Sequence, residues 1–259
     1  MPRPLALNTG APFHSFARTP QLRMEWEMGK FKWVGAVLSK RDYASSGPAG
    51  NSVDYLRFSP WPNLHLQLQY SKGENWLIGA GVDWKRLDPR LITDSLTQAK
   101  EKVEWVSLTA FGKINYRNFL FKVQGVLGQN LPDHAMAGGY AEEVPQPGEP
   151  IRYINLNHLS AWVDISYRLM NYEAGFFGGW FKNLGTQRPA TLRFFGRADN
   201  IAYAWRAAPR MGYNLGPLSL WMELEYTVAA YGLPDLRYKI KSSEAVGNLR
   251  VQGVASYSF

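Results

Sequence analysis

Leu249-Arg250-Val251-Gln252-Gly253-Val254-Ala255-Ser256-Tyr257-Ser258-Phe259 alternates from one residue to the next. Leu249, Val251, Gly253, Ala255, Tyr257 and Phe259 form one apolar or small face. Arg250, Gln252, Ser256 and Ser258 form the other, which only Val254 interrupts. A period of two is the signature of a strand with one apolar face. In a soluble sheet that face meets a dry core. In an outer-membrane barrel it meets lipid, and the polar face lines a lumen. A strand of this kind ending on an aromatic residue reads as the last strand of such a barrel. The expected fold is therefore all-β, an antiparallel up-and-down transmembrane β-barrel treated as one domain over 1–259.

Composition agrees with this expectation. The chain has 259 residues, 14% aromatics, no cysteine and a formal charge of +8. Mean hydropathy is −0.30, and no apolar run approaches the roughly 20 residues that a membrane helix requires. Each strand of a barrel hides its hydrophobicity in alternation, so that class stays open. The absence of cysteine excludes a disulfide framework and thiolate metal sites. Met1-Pro2-Arg3-Pro4 opens a Pro-rich stretch without the apolar region of a secretory signal.

Alternation recurs along the chain. Leu22, Met24, Trp26 and Met28 alternate with Arg23, Glu25 and Glu27. Leu64, Leu66, Leu68 and Tyr70 alternate with His65, Gln67 and Gln69. The same pattern fills segments near 76–85, 106–114, 119–127, 159–169 and 218–228. Segments near 31–41, 172–183 and 201–213 fit less cleanly, because glycines and aromatics occupy both faces, but they lie between turns and are read as strands. Short connections at 29–30, 71–74, 115–117, 170–171 and 214–216 alternate with long ones near 42–60, 86–100, 130–156, 184–198 and 231–247. Tight periplasmic turns and longer outer loops give this rhythm. The count is about eleven strands. Single-chain bacterial barrels carry even numbers, and an open edge in lipid leaves backbone groups unsatisfied. The expectation is thus an N-terminally truncated barrel, with about five further strands bringing it to sixteen. Residues 1–20 are expected to form an outer loop or to fold into the mouth as part of an eyelet, with Arg18 and Arg23 its candidate charges.

The polar face supplies the remaining candidates. Read from the alternation, the inward cations are Arg23, Lys32, Lys40, Lys85, Lys113, Lys122, Arg168, Arg206, Arg210 and Arg250. The inward anions are Glu25, Glu27, Asp83, Asp164, Glu173, Glu223 and Glu225. The small cationic excess predicts a mild preference for anionic solutes; the alternative is that these charges pair across strands and only hydrate the wall. Trp105, Trp162 and Trp221 fall on the inner face as lumen packing or as stacking surfaces for sugars. Tyr257, Phe259, Tyr213, Tyr172, Tyr70, Trp76, Phe119 and Phe31 gather near the short turns. Trp84, Trp180, Tyr43 and Tyr203 gather near the long loops, as interfacial girdles do.

Two pieces carry a family likeness: Leu7-Asn8-Thr9-Gly10-Ala11-Pro12-Phe13, and Phe16-Ala17-Arg18-Thr19-Pro20-Gln21-Leu22-Arg23. The likeness continues through Tyr55-Leu56-Arg57, Leu64 to Tyr70, and Lys85-Arg86-Leu87-Asp88-Pro89-Arg90-Leu91. Together they resemble the porin family of Bacteroidetes-type outer membranes. The resemblance implies a sixteen-stranded, usually trimeric diffusion channel for small hydrophilic solutes, of which this chain covers the C-terminal two-thirds. It also implies outer-membrane lipid and further copies of the chain as partners, and no catalytic residue.

Rival readings rest on fewer residues. His158 and Ser160 share one strand face, which admits an outer-membrane lipid hydrolase. A structural or adhesive surface barrel would use its outer loops, and a soluble β-protein would bury Leu64, Leu66 and Leu68. The dispersed basic residues do not form a nucleic-acid patch. No histidine has a partner at metal-ligand spacing, and no cofactor fingerprint is present. Asp133 with His134, and Asp199 with Asn200, read as solvated loop residues, with weak Ca²⁺ binding as the alternative.

Overall fold

The computed structural model describes residues 5, 10–16, 19–39, 45–93, 96–146 and 149–258. Eleven strands follow one another around a single antiparallel sheet: β1 (Gln21–Met28), β2 (Phe31–Leu38), β5 (Asn63–Lys72), β6 (Trp76–Leu87), β7 (Val103–Tyr116), β8 (Phe119–Gln129), β10 (Tyr153–Leu169), β11 (Tyr172–Gly185), β13 (Ile201–Leu215), β14 (Leu218–Pro234) and β15 (Ile240–Tyr257). Each pairs with the next, as an up-and-down topology requires. The three segments that alternate poorly are β2, β11 and β13. Among the described residues β1 pairs only with β2 and β15 only with β14, so the sheet presents two free edges.

The two faces obey the membrane rule. On the outer face Met24, Leu66, Leu249 and Val251 are each more than 60% exposed. On the inner face Ser160 and Asp164 are fully buried. A soluble sheet would reverse this. At the short-turn end the outer face carries a belt of rings: Phe31 against Tyr70 at 5.3 Å, Phe119 against Tyr167 at 4.6 Å and Tyr172 against Tyr213 at 4.8 Å between centroids. The turns themselves are tight. Gly29, Gly73 and Gly216 adopt left-handed φ of +55° to +62°, where a side chain would be strained.

The long connections depart from the sequence expectation. They are not plain solvated loops. The connection after β2 holds a small hairpin, β3 (Ser45–Gly47) with β4 (Gly50–Ser52), and a one-turn helix, α1 (Asp54–Phe58). The connection after β8 holds a 3₁₀ turn (Pro132–His134) and β9 (Gly138–Glu143). That after β11 holds β12 (Ala190–Arg197), and β12, β9 and β10 form a ladder of their own. The last connection, expected near 231–247, shrinks to 235–239, because β14 and β15 stay paired out to Pro234 and Ile240. At 17 and 18 residues these strands are far longer than the roughly 9–11 that cross a bilayer. Phe259, Lys40 and Tyr43, named above, lie outside the described residues.

Apolar packing collects inside the curve of the sheet, at the long-loop half. One cluster joins Tyr55 and Leu56 of α1, Leu87, Val103, Trp105 and Val126 of the wall, and Leu131, Met136 and Tyr140 of the connection after β8. A second joins Phe13 to Trp162, Phe177, Phe181, Ala204 and Ala208. Trp105 and Trp162 therefore pack lumen contents.

Candidate functional site

Pairing register arranges the inner side chains in lateral rows. One row runs Arg23, Ala36, His65, Asp83, Ser107. Another runs Lys32, Gln69, Gly79, Phe111, Gln124, Trp162, Gly179, Arg206, Thr227, Asn248. Most wall charges are matched. Arg23 meets Glu25 at 2.5 Å, and Lys32 meets Glu25 and Glu27. Arg168 meets Glu173 at 2.6 Å, and Arg250 meets Glu225 at 2.8 Å. Arg210 reaches Asp164 at 2.9 Å, both side chains almost wholly buried. That pair spans β11, whose Gly175 lies beneath it. A Cβ there would sit 2.7 Å from the Arg210 guanidinium carbon. Lys113, beside Lys122 in register, has no ion-pair partner among the described residues.

The N-terminal segment lies on this wall. Phe13 is completely buried, its ring seated on Gly179 between Phe177 and Phe181, at centroid distances of 6.5 and 6.0 Å. Ser160 Oγ donates to the Phe13 carbonyl at 2.7 Å, and Arg206 Nη1 donates to the Ala11 carbonyl at 3.1 Å. His14 Nδ1 lies 2.8 Å from Gln124 Oε1, which also accepts from Trp162 Nε1. Burial holds the His14 imidazole below its ordinary pKa. Leu5 N donates to Glu223 Oε2 at 2.9 Å. Of the two readings for the N-terminal stretch, residues 5 and 10–16 follow the inward one. Arg18 lies outside the described residues.

The connection after β8 is the second occupant. Lys85 Nζ donates to Asp133 Oδ2 at 2.6 Å, with side-chain exposures of 2% and 8%. Burial alone would raise the Asp133 carboxyl, but Lys85 and then His134 more than offset it, and its pKa sits below the ordinary range. Burial and the Lys85 charge push the His134 imidazole down to about 4. Tyr140 Oη donates to the Ser46 carbonyl, tying β9 to β3, and burial raises its phenol. Phe16 N donates to the His134 carbonyl at 2.9 Å, so the two occupants touch.

These placements correct part of the sequence reading. Lys85, Arg206, Arg210, Glu223 and Glu225 face inward as expected but are buried beneath the occupants or in ion pairs. Open water is left to Arg23, Glu25, Lys113, Lys122, Arg168 and Arg250, each at least partly exposed. Asp133 is neither solvated nor arranged for Ca²⁺; it neutralises Lys85. His158 and Ser160 share a face, but neither ring nitrogen of the buried His158 has a hydrogen-bond partner among the described residues, and the Ser160 hydroxyl is spent on Phe13. The pair is therefore not an assembled nucleophile and base. Sequence reasoning missed the burial of Phe13, Asp133 and Tyr140 inside the wall, having read Asp133 as solvated. The signal for the last two was Leu131, Met136, Ala137, Tyr140 and Ala141, a run too apolar for a solvated loop.

No family model and no curated protein matches the sequence. Among solved structures, the trimer form of in-vitro folded OmpT, an outer membrane protein of Vibrio cholerae, superposes with a TM-score of 0.50 at 11% identity, over 92% of this chain and 64% of that one. A second in-vitro folded OmpT structure gives 0.49 with the same coverage. A NanC porin structure gives 0.36 at 10% identity, over 92% of both chains. The chain thus spans less than two-thirds of the OmpT length. The likeness shows the fold, that of an outer-membrane β-barrel.

Proposed function

We propose that this chain forms the wall of an outer-membrane porin, a passive channel for small hydrophilic solutes. The observation that carries the reading is the inverted polarity of the sheet. Its apolar face is exposed, while its inner face holds charged rows and two inward-folded segments. A wall of this kind is costly unless it encloses water. The segments act as the eyelet, narrowing the lumen at the long-loop half. The family likeness of the Asn-Thr-Gly and Arg-x-Pro-Gln pieces supports the same reading and adds a trimer and a sixteen-stranded barrel to the proposal. Because most wall cations are paired, selectivity rests on Lys113 and on the exposed parts of Arg168 and Arg250, and the anion preference is slight. Proteoliposomes swollen in isosmotic sugars and amino acids test the reading. Size-dependent influx is expected, and impermeability to every solute overturns it.

A further inference from the structure

Between the N-terminal segment and the wall of β5 to β8 lies an inner-face recess of about 460 Å³. Its volume is within the range typical of small-molecule sites. Its charges are already committed. Asp83 bonds His65 Nδ1 at 2.8 Å, and Arg23 is paired with Glu25. What it offers a visitor is neutral. Ser107 Oγ, in a residue only 3% exposed, lines the recess and has no hydrogen-bond partner among the described residues. Thr109 and Gln67 lie on the same wall. Phe111 provides one broad apolar surface, its ring lying across Gly79, where a Cβ would stand 2.4 Å from Cζ. An aromatic face beside uncharged donors and acceptors suits a pyranose, whose C–H face stacks while its hydroxyls bond. A buried hydroxyl without a partner is a cost that such a ligand removes.

We infer that this recess is a binding subsite for an uncharged polyhydroxylated solute the size of a monosaccharide, and that it discriminates against charged analogues. The inference rests on the channel reading and names a substrate class for it.

The test titrates the refolded full chain in micelles with glucose, gluconate and glucosamine by ligand-detected NMR, alongside liposome swelling with the same solutes. Glucose is expected to bind, with gluconate and glucosamine at least ten-fold weaker. Ser107→Ala should weaken glucose about five-fold, the net worth of one neutral hydrogen bond, and Ser107→Thr should retain it. Phe111→Ala should weaken it to a similar degree. Gluconate or glucosamine binding as well as glucose, or glucose binding unchanged in both Ser107→Ala and Phe111→Ala, overturns the proposal. Swelling by every solute without glucose binding sinks the subsite and leaves the channel standing. Glucose binding without any swelling supports the subsite and sinks the channel.

Discussion

Replacing Lys85 with Met removes one partner of the buried ion pair that holds the 3₁₀ turn to the wall. The charges meet at 2.6 Å. At an effective dielectric of about 20 the gross attraction is about 6 kcal/mol. Withdrawing the two ions from water costs several kcal/mol each, so the pair as a whole is close to neutral in stability. Removing one member differs, because Asp133 then stays buried with only the neutral His134 ring beside it, at a cost of about 3–5 kcal/mol. The turn escapes that cost by leaving the wall. Its docking equilibrium should therefore shift by between about a hundred-fold and several thousand-fold. Hydrogen exchange of the amides of residues 133–141 in micelles reads this directly, with the amides of β13 and β14 as the control for global unfolding. Lys85→Met should lose protection in the first region and keep it in the second. The double variant Lys85→Met with Asp133→Leu should recover most of it, since neither charge is then buried. Wild-type protection in the single variant, or a double variant no better than the single, refutes the argument.

Phe13→Ala should cost about 3–5 kcal/mol of packing; this exceeds what a short segment holds in reserve, so residues 10–16 should leave the lumen and single-channel conductance should rise. Low pH should loosen the docked turn. The His134 imidazole is lowered to about 4 in place and returns to about 6.5 when released, so the released form binds more protons between those values. Docking is complete above pH 6.5 and is lost as pH falls toward 4, and His14 shifts in the same sense. Asp133, also lowered, adds stability that is fully present above the ordinary carboxylate pKa and is lost only as pH falls below it. Exchange protection at residues 133–141, compared at pH 7.5 and 4.5 after correction for intrinsic rates, checks this. Leu66→Lys, on the lipid face, should cost about 2–4 kcal/mol near the bilayer midplane, while Gln67→Lys, on the inner face, should fold like the parent; urea titration in micelles compares them. Arg210→Met should destabilise by about 3–5 kcal/mol by removing the cation that meets the buried Asp164, and the added variant Asp164→Leu should restore most of it.

The strands, their order and the direction of every face were legible because the bilayer imposes one rule on each segment: apolar residues at every second position. What fills the interior was not legible, because no such period governs it. Yet traces were present. Segments near 172–183 and 201–213 alternate poorly because Phe177, Phe181, Ala204 and Ala208 are apolar on the inner face as well, where they receive Phe13. The irregularity recorded the occupant. Likewise β9 and β12 escaped because their hydrophobicity answers to α1 and to the last hairpin rather than to lipid. The charged positions followed from alternation. Their partners did not, since the carboxylate that meets Lys85, that of Asp133, lies 48 residues away in a connection.

Gly175 and Gly179 give the sheet a means of detecting mispairing that lipid cannot provide. Sliding a strand by one residue turns its greasy side inward and is rejected at once. Sliding it by two leaves the bilayer satisfied. Such a slip would move Gly175 out from under Arg210 and break the Arg210–Asp164 pair, and would bring a bulky neighbour under Phe13. The vacant positions on β11 therefore act as a vernier during assembly, fixing the alignment of β10, β11 and β13 to within a single repeat.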